Sequence, residues 1–430
     1  MLAAMSPSPD PAGPGPGVPD RARGDACPGA LRLHTADDGS LARVRLPGGL
    51  LTVDQVLVLA DAAEQLGDAH LETTSRGNVQ LRGLPEDCGQ DLGARLRAAG
   101  LLPSDRHERV RNIVASPLAG VDGNGHADVT TWARELDAAL CAADWTSALS
   151  GRFLFALDDG RGDVAGLDAD VTLIASPGGG ALLRLGRATT ALPVPPGEAV
   201  AAALRAAEDF LALLRGTGTK AWRIREADPD GTRLTPPGAP VVPLPALPGT
   251  LPQAGPVTGA GGRHGLAAGL PFGRAGVAQW RLLAAAAADG AGELRVTPWR
   301  GVVLPGLDPA RSPGWAGRLA AAGLGLDPHS PWERAMACTG TPGCAKSLAD
   351  VRGDAARALA AAGPGGGRLL PVHWSGCERR CGHPAGEWVD ALATPDGYRV
   401  AVRRPDTTPT YQATTTQQMA DAVARARRTK

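Results

Sequence analysis

Lysine is almost missing from this chain. Lys220, Lys346 and Lys430 are its only lysines, although lysine and arginine together number 44 in 430 residues. Forty-four acidic residues balance them, and a formal net charge of zero leaves no electrostatic case for a nucleic-acid or anionic-membrane partner. No apolar run approaches the length of a membrane span. Residues 1–26 are rich in Pro and Gly and lack the apolar segment of a signal peptide, so they read as a disordered tail. No Gly-x-Gly-x-x-Gly follows a strand pattern, so a Rossmann site for a nicotinamide is not expected within the chain. Together these absences describe a cytoplasmic protein, in which clustered cysteines are metal or redox sites and not a disulfide framework.

What is present is 43% hydrophobic and 20% charged, the composition of a globular protein long enough for two or three domains. Scarce lysine beside abundant Ala, Gly and Pro is what a GC-rich genome produces. Arginine is also the better side chain for gripping a carboxylate with two parallel hydrogen bonds. A Pro/Gly-rich stretch at 234–262 divides the chain as a linker, and a shorter one at 361–367 reads as a loop.

The segments on either side of the long linker resemble each other. "GGLLTVDQVLVLADAAEQLGDAHLETTSRGNVQLRGL" at 48–84 and "PFGRAGVAQWRLLAAAAADGAGELRVTPWRGVVLPGL" at 271–307 each begin with a glycine turn and an amphipathic helix. In the first, Val53, Val56, Leu57, Ala60, Ala63 and Leu66 mark the apolar face. Each unit continues into a strand, then Thr-x-x-Arg-Gly (Thr73 to Gly77; Thr297 to Gly301), then a second strand. The match predicts a duplicated architecture with a site between its halves. Elsewhere, 170–175, 180–186, "RLLPVHW", "EWVDALA" and "YRVAV" are strand candidates, and helices are expected near 197–214 and from Lys346 onward.

Four of seven cysteines fall late in the chain as C-x5-C and C-x3-C: Cys338, Cys344, Cys377 and Cys381. Four thiolates on two glycine-bearing loops suit a [4Fe–4S] cluster. Structural zinc is the alternative, although C-x5-C fits the usual short knuckle poorly. Buried free thiols are a third reading, and the one that suits the isolated Cys27, Cys88 and Cys141.

This cysteine frame behind a duplicated Arg-Gly unit resembles the nitrite/sulfite reductase superfamily over about 27–404. The stretches 27–49, 72–83, 151–160, 293–301 and "HWSGCERRCGHP" at 373–384 are most similar to its precorrin-3B synthase branch. The resemblance implies an α+β fold: two ferredoxin-like half-domains (27–95, 263–325) and two α/β domains (100–233, the tetrapyrrole domain, and 326–404, the 4Fe-4S domain), paired by a pseudo-twofold. The linker at 234–262 joins them, and 405–430 is left as a C-terminal tail. The implied activity is an oxygen-dependent monooxygenase of aerobic cobalamin synthesis. It would convert precorrin-3A to precorrin-3B by C-20 hydroxylation and γ-lactone formation. Electrons would come from a reduced nicotinamide through a partner reductase. Besides the cluster, the resemblance implies a mononuclear non-haem iron, for which no ligand set is assignable, and sirohaem is not expected. No catalytic residue is named.

A polycarboxylate tetrapyrrole needs guanidinium groups around its rim. Arg76 closes the first Arg-Gly turn, and Asn78, Gln80 and Arg82 behind it share one strand face. Arg109 and Arg111 follow, Arg111 matching the superfamily's tetrapyrrole-binding arginine, and Arg152 and Arg300 complete the set. For each, a solvated surface charge is the alternative. Sirohaem reductases of the superfamily carry Lys-x-Lys where this chain has Arg152-Phe153-Leu154, which removes a proton donor. Arg379 and Arg380 are bulkier than the residues usual between the last two cysteines. His373 and His383 flank the cysteine loops as candidates for tuning or proton transfer. Two rivals stand: a sirohaem-dependent nitrite or sulfite reductase, and a non-catalytic iron–sulfur electron carrier or redox sensor.

Overall fold

The computed structural model describes residues 25 and 27–428, apart from 260, 261, 263, 363–368, 385 and 406. The tail read at 1–26, save Asp25, and most of the loop at 361–367 lie outside the described residues. The first half-domain contains β1 (His34–Ala36), β2 (Gly39–Val44), β3 (Leu50–Thr52), α1 (Val53–Leu66), β4 (His70–Thr73), β5 (Val79–Leu84) and α2 (Gly89–Ala98). An α/β domain follows with β6 (Ile113–Ala115), α3 (Val129–Ala142), β7 (Phe155–Asp158), β8 (Val171–Ala175), β9 (Ala181–Leu185), β10 (Thr190–Val194), α4 (Ala199–Thr217), α5 (Ile224–Ala227) and β11 (Val242–Pro243). The second half-domain comprises β12 (Gly255–Thr258), β13 (His264–Gly269), β14 (Arg274–Gly276), α6 (Val277–Ala288), β15 (Glu293–Val296), β16 (Gly301–Leu307) and α7 (Ser312–Ala321). The last domain holds β17 (Ala335–Ala337), α8 (Val351–Ala361), β18 (Val372–Ser375), β19 (Trp388–Thr394), β20 (Gly397–Arg403), β21 (Gln412–Thr414) and α9 (Thr416–Arg427).

The half-domains are interlocked. One sheet runs β1-β2-β5-β4-β14 and the other β12-β13-β16-β15-β3, so each borrows its last strand from the opposite repeat. One apolar core, with Leu59, Leu81, Trp280 and Leu304 wholly buried, therefore spans both. The exchange depends on two tight glycine turns. Gly49 has φ +73 and a Cβ there would stand 2.1 Å from the Val296 carbonyl oxygen; its counterpart Gly273 has φ +76 and would press on Arg300 and Thr73. Helix α1 starts in a capping box between Thr52 and Gln55, and Gln279 likewise accepts from the Gly276 N–H at the start of α6. The face of α1 differs in part from the expectation: Leu57 points to solvent while Leu59 and Ala62 are buried. The reason is tertiary, since α1 packs on α6 as well as on its own sheet.

The two α/β domains repeat each other as well. Their sheets run β6-β7-β8-β9-β10-β11 and β17-β18-β19-β20-β21, with the first three strands parallel and the next antiparallel in both. The long linker is not a bare tether. It supplies β11 to the first α/β sheet and β12 to the second half-domain. The C-terminal stretch at 405–430, expected as a tail, carries β21 and α9, and Met419, Ala422 and Val423 of α9 belong to the core of the last domain. Helix α8 begins at Val351, capped by Asp350, several residues after the expected start at Lys346.

Candidate functional site

Strands β17 and β18 are parallel neighbours, with Ala337 opposite Trp374. Chain segments leaving adjacent parallel strands emerge at the same sheet edge, which brings the two cysteine loops together there. Cys338 follows β17 and Cys377 lies just past β18. The Gly376 N–H donates to Cys338 Sγ at 3.2 Å, and charge on Cys377 or Cys381 raises the affinity of Cys338 for its proton beyond the effect of burial. Among the described residues no three His, Cys, Asp or Glu side chains are gathered closely enough to enclose one metal ion. Four thiolates carried on two neighbouring loops are the donor set that a cubane takes, one for each iron. Both ring nitrogens of buried His373 and the hydroxyl of Ser375, one strand away from Asp390, lack hydrogen-bond partners. The residues thus fit a cluster, with orphaned polar atoms nearby. Among the described residues no set of side chains for a mononuclear iron is gathered.

The pseudo-equivalent place in the first α/β domain is filled differently. Ser116 follows β6 as Cys338 follows β17, and Asp122 follows Ser116 at the spacing of Cys344 after Cys338. Here a guanidinium takes the centre. Arg161 pairs with Asp122 at 2.8 Å and with Asp159 at 2.6 Å, and Ser116 donates to Asp163 at 2.6 Å. Burial first, then the neighbouring Asp158 charge, pushes the Asp163 carboxyl up to about 7.

The arginines divide by partner. Arg82 makes a two-pronged pair with Asp38 at 2.8 and 2.7 Å. Arg111, buried, does the same with Asp137 at 2.6 and 2.7 Å and gives its remaining nitrogen to the Leu101 carbonyl. Both guanidiniums are thus already paired with carboxylates of the chain, partners with which a ligand carboxylate would compete. Asn78 is also structural: its side chain accepts from the Leu46 N–H and donates to Asn112. Gln80 does lie on the face with Arg82, but it bridges Arg43 and Glu72.

Arg76, Arg109, Arg152 and Arg300 make no ion pair among the described residues, and Arg43 and Arg45, which the sequence reading omitted, join them. Four of the six converge on the loop at Gly151. Arg76 donates to the Gly151 carbonyl at 3.4 Å, and a Cβ on Gly151 would touch Arg109 at 3.3 Å. Arg45 donates to the Arg109 carbonyl, and Arg152 lies over the Trp222 ring at 4.5 Å. Burial, then repulsion from Arg43 and Arg76, pushes Arg45 down to about 9. Burial, then Arg223, pushes Arg76 down to about 10. Such a group favours an incoming anion, because binding one relieves the repulsion. Arg300 stands apart with φ +64, its guanidinium 3.6 Å from a Cβ placed on Gly382 in the second cysteine loop. The alternation Arg43-Val44-Arg45-Leu46 was the available signal for the two missed residues. In the second half-domain the equivalents of Arg43, Arg45 and Gln80 are Ala267, Gly269 and Leu304, so only one of the pseudo-related faces is equipped for anions.

Leu154, at the second lysine position, is buried against Val114, Ala156, Val164 and Ala169. His383 is exposed and stacked on Trp388 at 5.3 Å. Arg380, at φ +46, threads back to buried Asp390 at 2.6 Å and to the Tyr411 hydroxyl.

The profile of the nitrite/sulfite reductase ferredoxin-like half domain matches twice, at 34–99 and 258–322, in line with the two interlocked repeats. The chain is 30% identical to a precorrin-3B synthase of Sinorhizobium sp over 88% of its length and 83% of the relative's. It is 29% identical to a ferredoxin–nitrite reductase of Synechococcus elongatus, over 80% of this chain and 74% of that one. Among solved structures, Mycobacterium tuberculosis NirA superposes with a TM-score of 0.72 at 20% identity, covering 90% of this chain and 80% of NirA, a likeness of fold.

Proposed function

We propose, from the premise that this chain belongs to the nitrite/sulfite reductase superfamily, that it is the oxygen-dependent precorrin-3B synthase of aerobic cobalamin synthesis. The reaction is C-20 hydroxylation of precorrin-3A with closure of a γ-lactone. One oxygen atom of O2 enters the product and the other leaves as water, with two electrons and one proton from a reduced nicotinamide, passed on by a partner reductase, and the second proton from solvent. The observation that carries this reading is the group of arginines around Gly151, Arg45 buried, Arg76 and Arg109 half-buried and Arg152 exposed, that make no ion pair among the described residues. A tetrapyrrole rim supplies the carboxylates they lack, each guanidinium taking one in a two-pronged grip.

In this reading Arg43, Arg45 and Arg76 grip carboxylates, with Arg109 and Arg152 at the rim and Gln80 orienting Arg43. Arg300 lies between this face and the cysteine loops. The wall around Leu154 excludes water from the reacting face. Cys338, Cys344, Cys377 and Cys381 hold a [4Fe–4S] cluster, which supplies single electrons when bound. No step is assigned to a mononuclear iron, since the described residues offer it no ligand set.

The second reading, a sirohaem-dependent nitrite reductase, is favoured by the 29% identity to the Synechococcus enzyme. Buried Leu154 weighs against it, because a lysine proton donor is missing there. Purified protein distinguishes the two: a broad iron–sulfur absorbance without a Soret band, and turnover of precorrin-3A but not nitrite or sulfite, support the synthase. Tightly bound sirohaem with nitrite turnover would overturn it.

A further inference from the structure

The loop bearing Cys344 is fastened to the first half-domain. The turn between β1 and β2 presents Asp37 and Asp38 toward it. Asp37 accepts from the Ala345 N–H at 2.7 Å. Asp38 holds Arg82 of β5 in a two-pronged pair, and Arg82 reaches on to the Gly343 carbonyl at 3.4 Å. The approach is close enough that a Cβ on Gly343 would stand 2.9 Å from the Asp38 carboxylate. These contacts grip the residues immediately before and after Cys344, across a domain boundary. From its other side the same loop is tied to the second cysteine loop, where the Leu348 N–H donates to the Gly376 carbonyl at 2.9 Å.

We propose that Asp37, Asp38 and Arg82 form a clasp that positions Cys344 for its iron and joins the cluster to the sheet carrying the substrate arginines. The clasp rests on the cluster reading given above. Arg82 shares a strand face with Gln80, which bonds to Arg43, so the seat of the cluster and the floor of the anion site belong to one sheet. Arg82 is thereby a positioning residue for the cluster loop, not a contact for the substrate. Its pair with Asp38 is mostly buried, with the side chains 9% and 26% exposed. Charge-assisted bonds in such surroundings are stronger than surface ion pairs.

The test uses anaerobically purified full-length protein and follows iron and sulfide content, release of iron to a chelator, and binding of uroporphyrin I as an octacarboxylate probe. Arg82→Ala and Asp37→Ala should release iron about tenfold faster than wild type while binding uroporphyrin within about twofold of it. Asp37 is exposed, so its variant keeps the fold if Arg82→Ala does not, and Asp37→Asn, which retains an acceptor, should restore slow release. Cys344→Ser supplies the reference for a lost ligand. Wild-type release rates in Arg82→Ala and Asp37→Ala, beside a failing Cys344→Ser, would overturn the clasp and leave the cluster standing. Uroporphyrin affinity lost in Arg82→Ala with iron release unchanged would return Arg82 to the substrate. A wild-type protein without iron and sulfide would overturn the cluster reading and the clasp together.

Discussion

Arg300, which closes the second Arg-Gly turn with Gly301, donates a hydrogen bond to the carbonyl of Thr73, which opens the first. The two repeats thus touch at their matching turns, beside the exchanged strands. From this junction the cysteine loops lie on one side, where Arg300 nears Gly382, and the arginine face on the other, where Arg43 is close enough to repel it.

Serine at Cys338, Cys344, Cys377 or Cys381 should remove cluster and activity together, since in the proposed reading each holds one iron. Alanine at Cys27, Cys88 or Cys141 should leave iron and sulfide content as in wild type. Full iron in Cys338→Ser or Cys381→Ser contradicts the assignment.

Arg76→Lys and Arg45→Lys should weaken uroporphyrin binding, because an ammonium cannot make the two-pronged contact. Losing one such contact costs about 2–4 kcal/mol, or roughly 30- to 1000-fold in affinity. Arg111→Ala should act otherwise. It strands the Asp137 carboxylate, so thermal unfolding should show a loss of about 3 kcal/mol, with the loss in binding no larger than that instability explains. Equal, purely binding defects in all three variants would count against the sorting of paired from unpaired arginines.

Asp163 makes stability depend on pH. An unfolded aspartic acid loses its proton near 3.8, whereas burial and Asp158 let Asp163 keep its proton up to about 7. Between those values the folded state holds the extra proton, so stability falls as pH rises through that window. Asp163→Asn retains an acceptor for the Ser116 hydroxyl and the Val164 N–H without the charge. Urea unfolding at pH 5 and pH 8 should show the variant gaining on wild type toward pH 8, by up to ~3 kcal/mol. Any cost of the new amide is common to both pH values. An unchanged difference between the two proteins would refute the shift.

Arg380 tests backbone against side chain. Its φ of +46 suits glycine, yet its guanidinium neutralises fully buried Asp390. Arg380→Ala should lose the ion pair and keep the strained backbone, whereas Arg380→Gly loses the pair alone. The glycine variant should therefore be more stable by about 1 kcal/mol, and both should fall below wild type in thermal unfolding. Alanine equal to glycine would mean that the loop changes conformation when the arginine is removed.

Much of this was legible in the chain. Helix α1 with its Thr52 cap, the repeated Arg-Gly turns and the cysteine spacing are local patterns, and a local pattern is set by side-chain period and turn chemistry alone. So are β8, β9 and α4, which fall within a few residues of their expected ends. Helix α8 starts late because Asp350 caps it, and the preceding residues are held by Gly376 and the first half-domain, contacts absent from its own segment.

The sequence by itself determined the duplication, the cysteine frame and the supply of arginine. Each is written in residue types at fixed separations along one segment. Only the tertiary structure decided that β3 and β14 are exchanged between repeats, that residues near 412–427 complete a sheet and its core, and which guanidiniums remain available. Arg111 and Arg76 read alike along the chain. Arg111 meets Asp137 from α3, whereas Arg76 meets the Gly151 carbonyl beside other arginines and makes no ion pair among the described residues. Whether a charge is neutralised or left for a ligand depends on what approaches within a few ångströms through space, and distance along the chain does not encode that.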